Sequence, residues 1–262
     1  MAKRKMEKEL IRAHIVDGGN TKLGKTIGTF SKLMGDEDYF IPELGMTVKG
    51  TCGHFCNGCK KHCYVRKSYV RHTCRADGTC SVKYGHAINT VAIYQDIHKA
   101  FADIKGQIKR KRKLWKYVRI DQSGELLPGE FLMWCDTARE AAERGLRFYL
   151  YSKAFEYMEE ALLAGIVPEN LTVLYSIWHE YGIAEFKRVE HLPNVKAFVY
   201  VDANRKADGW SKADYARHGI IITCMCPAYD IKGKMNHAIT CDKCEFCMNR
   251  RAGCKIIGCF DH

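Results

Sequence analysis

The 262-residue chain carries 14 cysteines, and nearly all of them fall in two segments. Cys52, Cys56, Cys59, Cys63, Cys74 and Cys80 crowd the first; Cys224, Cys226, Cys241, Cys244, Cys247, Cys254 and Cys259 crowd the second; Cys135 stands alone. Thiols two or three residues apart, in a chain large enough to need no staples, point to metal or iron–sulfur ligation rather than disulfides. The first segment reads Cys52-x3-Cys56-x2-Cys59, followed by Cys63-Tyr64. Three thiolates can hold a 4Fe–4S cluster and leave one iron open to a substrate or cofactor. The second reads Cys226-x14-Cys241-x2-Cys244-x2-Cys247. Four thiolates close a 4Fe–4S cluster, the favoured reading, with a tetrahedral zinc site as the alternative. Cys224, Cys254 and Cys259 are either unligated or part of a further site with Cys74 or Cys80.

These residues need a scaffold, and the sequence supplies short β-branched and aromatic runs at 46–49, 117–120, 147–151, 171–175, 195–201 and 220–223. Helical spacing separates the later runs, over 130–144, 155–164 and 183–191, and a longer helix is expected over 89–113. The last five runs recur at the interval of βα units in a parallel sheet. Six units are too few to close an eight-stranded barrel and suit an open partial (β/α)6 barrel; a doubly wound sheet is the alternative. The expected organisation is a surface extension over 1–37, the partial barrel over 38–224 and a cysteine-rich C-terminal extension over 225–262.

Chemistry in parallel α/β folds gathers at the C-terminal ends of the strands. There the sequence places the first cysteine loop, then Asp121-Gln-Ser-Gly-Glu125, Ser152-Lys153, Trp178-His179-Glu180, Asp202, and Cys224 with Cys226. The cysteine spacing after a first strand is similar to that of radical S-adenosylmethionine enzymes, and Ser123-Gly124-Glu125 resembles their Gly-Gly-Glu motif. A closer resemblance is to the gene product 88 family of bacteriophages. It rests on Thr51-Cys52, Cys59-Lys-Lys-His-Cys63-Tyr64, Val118-Arg-Ile-Asp-Gln-Ser-Gly-Glu125, Arg147-Phe-Tyr-Leu-Tyr-Ser-Lys153, and Cys226-Pro227 followed by Cys241, Cys244 and Cys247.

The family pattern implies a cluster triad of Cys52, Cys59 and Cys63, whereas the literal radical motif selects Cys52, Cys56 and Cys59. The resemblance further implies that Ser123, Gly124 and Glu125 receive the methionine amino group of S-adenosylmethionine. Tyr64 would contact adenine. By their own positions, Lys153 either meets a carboxylate of the cofactor or is a solvated strand-end lysine, and Asp202 either binds the ribose hydroxyls or caps the next segment. It implies two 4Fe–4S clusters, the second auxiliary, and an electron donor such as flavodoxin or ferredoxin. The substrate is not legible; nucleic acid or a host protein suits a phage enzyme.

Lys and Arg exceed Asp and Glu, giving a formal charge of +12. Two oxidised clusters would lower this to about +9. With 47% hydrophobic residues the composition is that of a globular protein, which excludes a disordered tail or a low-complexity scaffold. No apolar run approaches the ~20 residues of a membrane span, and the first ten residues lack the core of a secretory signal. The expectation is a protein of the host cytoplasm, in an anaerobic host, with no membrane partner. The competing class is a metal-stabilised, nucleic-acid-binding module without catalysis, favoured by charge and by Lys109-Arg-Lys-Arg-Lys113. No recognition motif for nucleic acid accompanies it. A plain electron carrier fits less well, because it has no need of a long βα array.

Overall fold

The computed structural model describes residues 11–17, 22–53, 59, 63, 65–66, 69, 81–111, 113–202, 209–232, 234, 236, 238–249 and 253–260. Two short strands, β1 (Val16–Asp17) and β2 (Ile27–Thr29), precede a hairpin of β3 (Asp38–Ile41) and β4 (Met46–Lys49). Two helices follow, α1 (Ser81–Gln95) and α2 (Ile97–Lys111). The chain then alternates through β5 (Tyr117–Ile120), α3 (Glu130–Ala141), β6 (Arg147–Ser152), α4 (Glu156–Leu163), β7 (Leu171–Ile177), α5 (Ile183–Val189) and β8 (Val195–Val201). It ends with α6 (Lys212–Arg217), β9 (Cys224–Met225), α7 (Cys241–Cys244) and β10 (Ile256–Phe260).

The main sheet has eight strands in the order β1-β2-β5-β6-β7-β8-β10-β9 and does not close. Only β1 runs antiparallel; every other neighbouring pair is parallel. Side chains alternate along each strand, so a parallel sheet presents two faces that both need cover. On one face Val118, Ile120, Phe148, Leu150, Val173, Tyr175, Val195, Ala197 and Val199 pack against buried residues of α2 to α6. On the other, Tyr117, Tyr149, Leu174 and Ile257 meet Leu23, Met248, Phe246 and the thiols of Cys226, Cys241 and Cys247. Helices therefore cover one face, and the second cysteine segment covers the other.

The structure differs from the sequence reading in four places. The run at 46–49 is not the first strand of the sheet: it pairs with β3 in a separate two-stranded ribbon. The first parallel strand is β2, only three residues long and too short to show a period. Residues 22–34, expected on the surface, include β2 and the fully buried Leu23, Ile27, Phe30 and Lys32. The helix expected over 89–113 breaks at Asp96, whose carboxylate accepts from Lys99 N at 2.9 Å and caps α2. The last run, 220–223, forms no strand; β9 begins just after it, and β10, whose Gly and Cys weaken its strand signal, inserts between β8 and β9.

Trp134 anchors the helix-covered face. It is fully buried, meets Phe30 and Phe101 edge-on at 5.3 and 4.9 Å, and donates its indole N–H to Glu130 Oε1 at 3.1 Å. Trp134→Ala should cost about 3–5 kcal/mol, read as a fall in the urea midpoint.

Candidate metal and cofactor site

Both cysteine segments open onto one cavity of about 220 Å³. Cys52, Cys59 and Cys63 line it together with Cys226, Cys241, Cys244 and Cys247. Ser123, Gly124, Glu125 and Lys153 share the same wall space, and Arg119, Tyr149, Tyr151 and Phe198 from the inner sheet face form the floor. Most residues the sequence singled out are thus brought together. Cys56 and Tyr64 lie outside the described residues. Asp202 is not among the lining residues; it packs against Gly209, and its backbone N–H donates to Trp210 O at 3.0 Å. Asp202 thus stands apart from the residues that this cavity gathers.

Hydrogen bonds from β2's loop place the first thiols. Thr51 N donates to Leu33 O and Cys52 N to Gly35 O, each at 2.9 Å. The Thr51 hydroxyl accepts from Glu125 N at 2.9 Å, tying the first cysteine loop to the 123–125 loop. Gly124 makes that approach possible. Its φ is +82°, and a Cβ there would stand 2.6 Å from Thr51 Oγ1 and 2.8 Å from Lys32 Cβ. The Glu125 carboxylate is already well used: Oε1 accepts from Ser152 Oγ at 2.6 Å and Leu126 N at 3.1 Å, and Oε2 from Lys153 N at 2.8 Å. A carboxylate offers about four lone-pair sites, so Oε2 keeps one acceptor position. Lys153 Nζ donates to Ser176 Oγ at 2.9 Å.

Stitching to the sheet places the second set. Cys241 N donates to Lys22 O at 2.7 Å, Asp242 N to Leu23 O at 3.1 Å and Cys226 N to Gly258 O at 2.7 Å. The Tyr117 hydroxyl donates to Glu245. Lys196, buried on the inner face of β8, donates to the backbone oxygens of Phe246, at 2.6 Å, and Asn249. These contacts join 241–249 to the residues before β2, to β5 and to β8.

Burial dominates the thiols' acidity. It pushes Cys52 up to about 12, aided by the nearby charges of Glu125, Cys63 and Cys59. It raises Cys63, Cys241 and Cys244, and Cys247 to about 12. Cys226 is the exception: a hydrogen bond from the Cys259 thiol, with Lys22 nearby, holds it well below the usual thiol range. A bound cation reverses this logic, since a coordinating thiol gives up its proton. Two walls of buried, soft sulfur donors therefore fit iron–sulfur clusters or zinc in chemistry. Among the described residues, no three His, Cys, Asp or Glu side chains are grouped to hold a single metal ion.

Cys224 and Cys254 do not join a metal site: they form a disulfide between β9 and the residues before β10, with Cα atoms 5.6 Å apart. The expectation of ligation in place of disulfides is corrected for this pair, which tertiary packing alone brings within reach. Lys22 and Arg119 were missed as site residues, while Cys259, left open between ligated and unligated, lies against Cys226. Arg119 was findable, since it alternates with Val118 and Ile120 toward the inner face; nothing local marks Lys22.

The fold and site together define an open, mostly parallel α/β protein whose sheet face opposite α2 to α6 is lined by cysteine. The gene product 88 family model matches residues 10–250, and the chain belongs to that family. No curated protein and no solved structure matches it. No helix among the described residues is long and apolar enough to cross a membrane.

Behind the 123–125 loop, the Tyr69 hydroxyl lies 2.7 Å from His86 Nδ1 and 3.3 Å from Ser123 Oγ. Burial lowers His86 from 6.5 to about 4. The unfolded chain therefore binds this proton first as pH falls. Stability should be unaffected by His86 above pH ~6.5 and should fall toward pH ~4, by at most ~1.4 kcal/mol per pH unit. His86→Asn should flatten that slope in urea titrations across the same range.

Proposed function

We propose that the chain is an iron–sulfur protein of the radical S-adenosylmethionine type. The observation that carries this reading is the meeting of both cysteine sets and the 123–125 loop on one cavity at the strand ends. Cys52 and Cys59, with Cys56 or Cys63, would hold a cluster with an open iron. Cys226, Cys241, Cys244 and Cys247 would hold the auxiliary one. Such a cluster, when bound, would supply the electron for reductive cleavage of the cofactor's sulfonium bond, the chemistry that gives a 5′-deoxyadenosyl radical. The protein's own groups bind and orient. The remaining acceptor position on Glu125 Oε2 suits the methionine ammonium, and Ser152 and the Lys153 amide fix that carboxylate in place. Lys153 reaches the same cavity and suits the carboxylate of the cofactor. The open sheet with helices on one face is consistent with a partial barrel whose inner face bears the site. An external electron donor and a nucleic-acid or protein substrate complete the reading.

Anaerobic reconstitution followed by iron and sulfide counting and electron paramagnetic resonance tests it. The protein should be brown, and S-adenosylmethionine should change the reduced spectrum and yield 5′-deoxyadenosine under strong reduction. Cys52→Ala should abolish the responsive cluster and spare the other, and only one of Cys56 and Cys63 should prove indispensable. A colourless protein with stoichiometric zinc would instead establish the metal-stabilised binding module, to be followed by salt-dependent nucleic-acid binding.

Two further substitutions separate cofactor binding from structure. Glu125→Gln should keep the cluster and weaken S-adenosylmethionine binding by roughly 10- to 150-fold, because a charge-assisted bond becomes a neutral one. Cys244→Ala should lower iron content and solubility together, because α7 is also the cover of the inner sheet face.

A further inference from the structure

A buried ion cluster lies behind the cavity, and its charges do not balance. Lys32 Nζ meets Asp121 Oδ2 at 3.0 Å and also Glu130 Oε2, and all three side chains are 0% exposed. One ammonium thus faces two buried carboxylates. Both oxygens of Glu130 are engaged as acceptors. Oε1 takes the Trp134 N–H at 3.1 Å, and Oε2 takes Lys32 and the Leu127 N–H at 3.0 Å. Asp121 Oδ1 is buried and has no hydrogen-bond partner among the described residues. Asp121 itself lines the cavity, at the C-terminal end of β5, with a left-handed φ of 50°. For a residue other than glycine that backbone is strained, and it is sustained only because the surroundings impose it.

Two carboxylates that share one buried site cannot both stay ionised without a second cation, so one keeps a proton. Glu130 has no free oxygen for it, and Asp121 has one. We propose that Asp121 is the neutral acid of this cavity, with its proton on Oδ1 in the resting protein, and that it ionises when a cationic sulfonium or ammonium group occupies the cavity. The O–H bond breaks, the proton leaves to solvent, and the carboxylate remains as counter-charge to the ligand. The first half stands on the ion cluster alone; the second rests on the cofactor reading above. The groups facing Asp121 are Lys32 from the loop after β2, Glu130 from α3 and Glu125 from its own loop, with Tyr94 of α1 beside the first two. Burial pushes its carboxyl well up; Lys32 opposes this, and Glu130 and Glu125 add to it.

Infrared spectroscopy of the whole chain at neutral pH tests the resting state. A carboxylic-acid carbonyl band is expected, lost in Asp121→Asn. It should also be lost in Glu130→Gln, where Lys32 keeps a single carboxylate and Asp121 ionises. Should these variants fail to fold, isotopic labelling of aspartate side-chain carboxyls in the unsubstituted protein must move the band. Absence of the band, or a band that labelling leaves in place, overturns the proposal. For the second half, S-adenosylmethionine is titrated calorimetrically in two buffers of different protonation heat. Release of close to one proton with loss of the band supports it, and binding with the band intact overturns it. If S-adenosylmethionine does not bind while the band is present, the cofactor reading fails together with the second half, and the resting assignment stands.

Discussion

A parallel sheet buries both faces, and α2 to α6 pack against one of them. The inner face carries Tyr117, Tyr149, Leu174 and Ile257, which water would otherwise wet. Residues 241–249 take the place of a second helical layer, held by backbone bonds to Lys22 and Leu23 and by Lys196 beneath. The same short segment thus completes the core and presents Cys241, Cys244 and Cys247 to the cavity. Ligand binding and folding are coupled in such an arrangement, because the free energy that gathers the thiols also seats the cover.

The other wall is built by a different device. Thr51, Gly124 and Glu125 lock the first cysteine loop against the end of β5, while Glu125 reaches across to Ser152 and Lys153 on β6. Behind them Lys32 ties β2's loop to Asp121 and Glu130. Replacing such a buried ion cluster by apolar residues is often neutral for stability, whereas removing one partner is strongly destabilising. Its use here is positional: three separate segments meet at one ammonium, directly behind the loop expected to hold a ligand. Cations also attend the thiols. Lys22 is held charged beside Cys226, Cys241 and Cys259, and Lys153 and Arg119 lie within electrostatic range of Cys63 and Cys241.

The sequence by itself determined the alternating βα array from β5 to β8, because strands of four to seven residues and helices ended by Gly145 and Gly165 leave a readable period. It also determined the family and the two cysteine segments, since both rest on residue type and short spacing. Only the tertiary structure decided which strand leads the sheet. β2 has three residues and carries no period, whereas the hairpin strand β4 alternates well and lies outside the main sheet. The insertion of β10 between β8 and β9, the Cys224–Cys254 bridge and the meeting of seven thiols on one cavity were likewise decided there. Each of these joins residues 30 or more positions apart, and the free energy that joins them comes from covering a shared sheet face. No local pattern of residues records that.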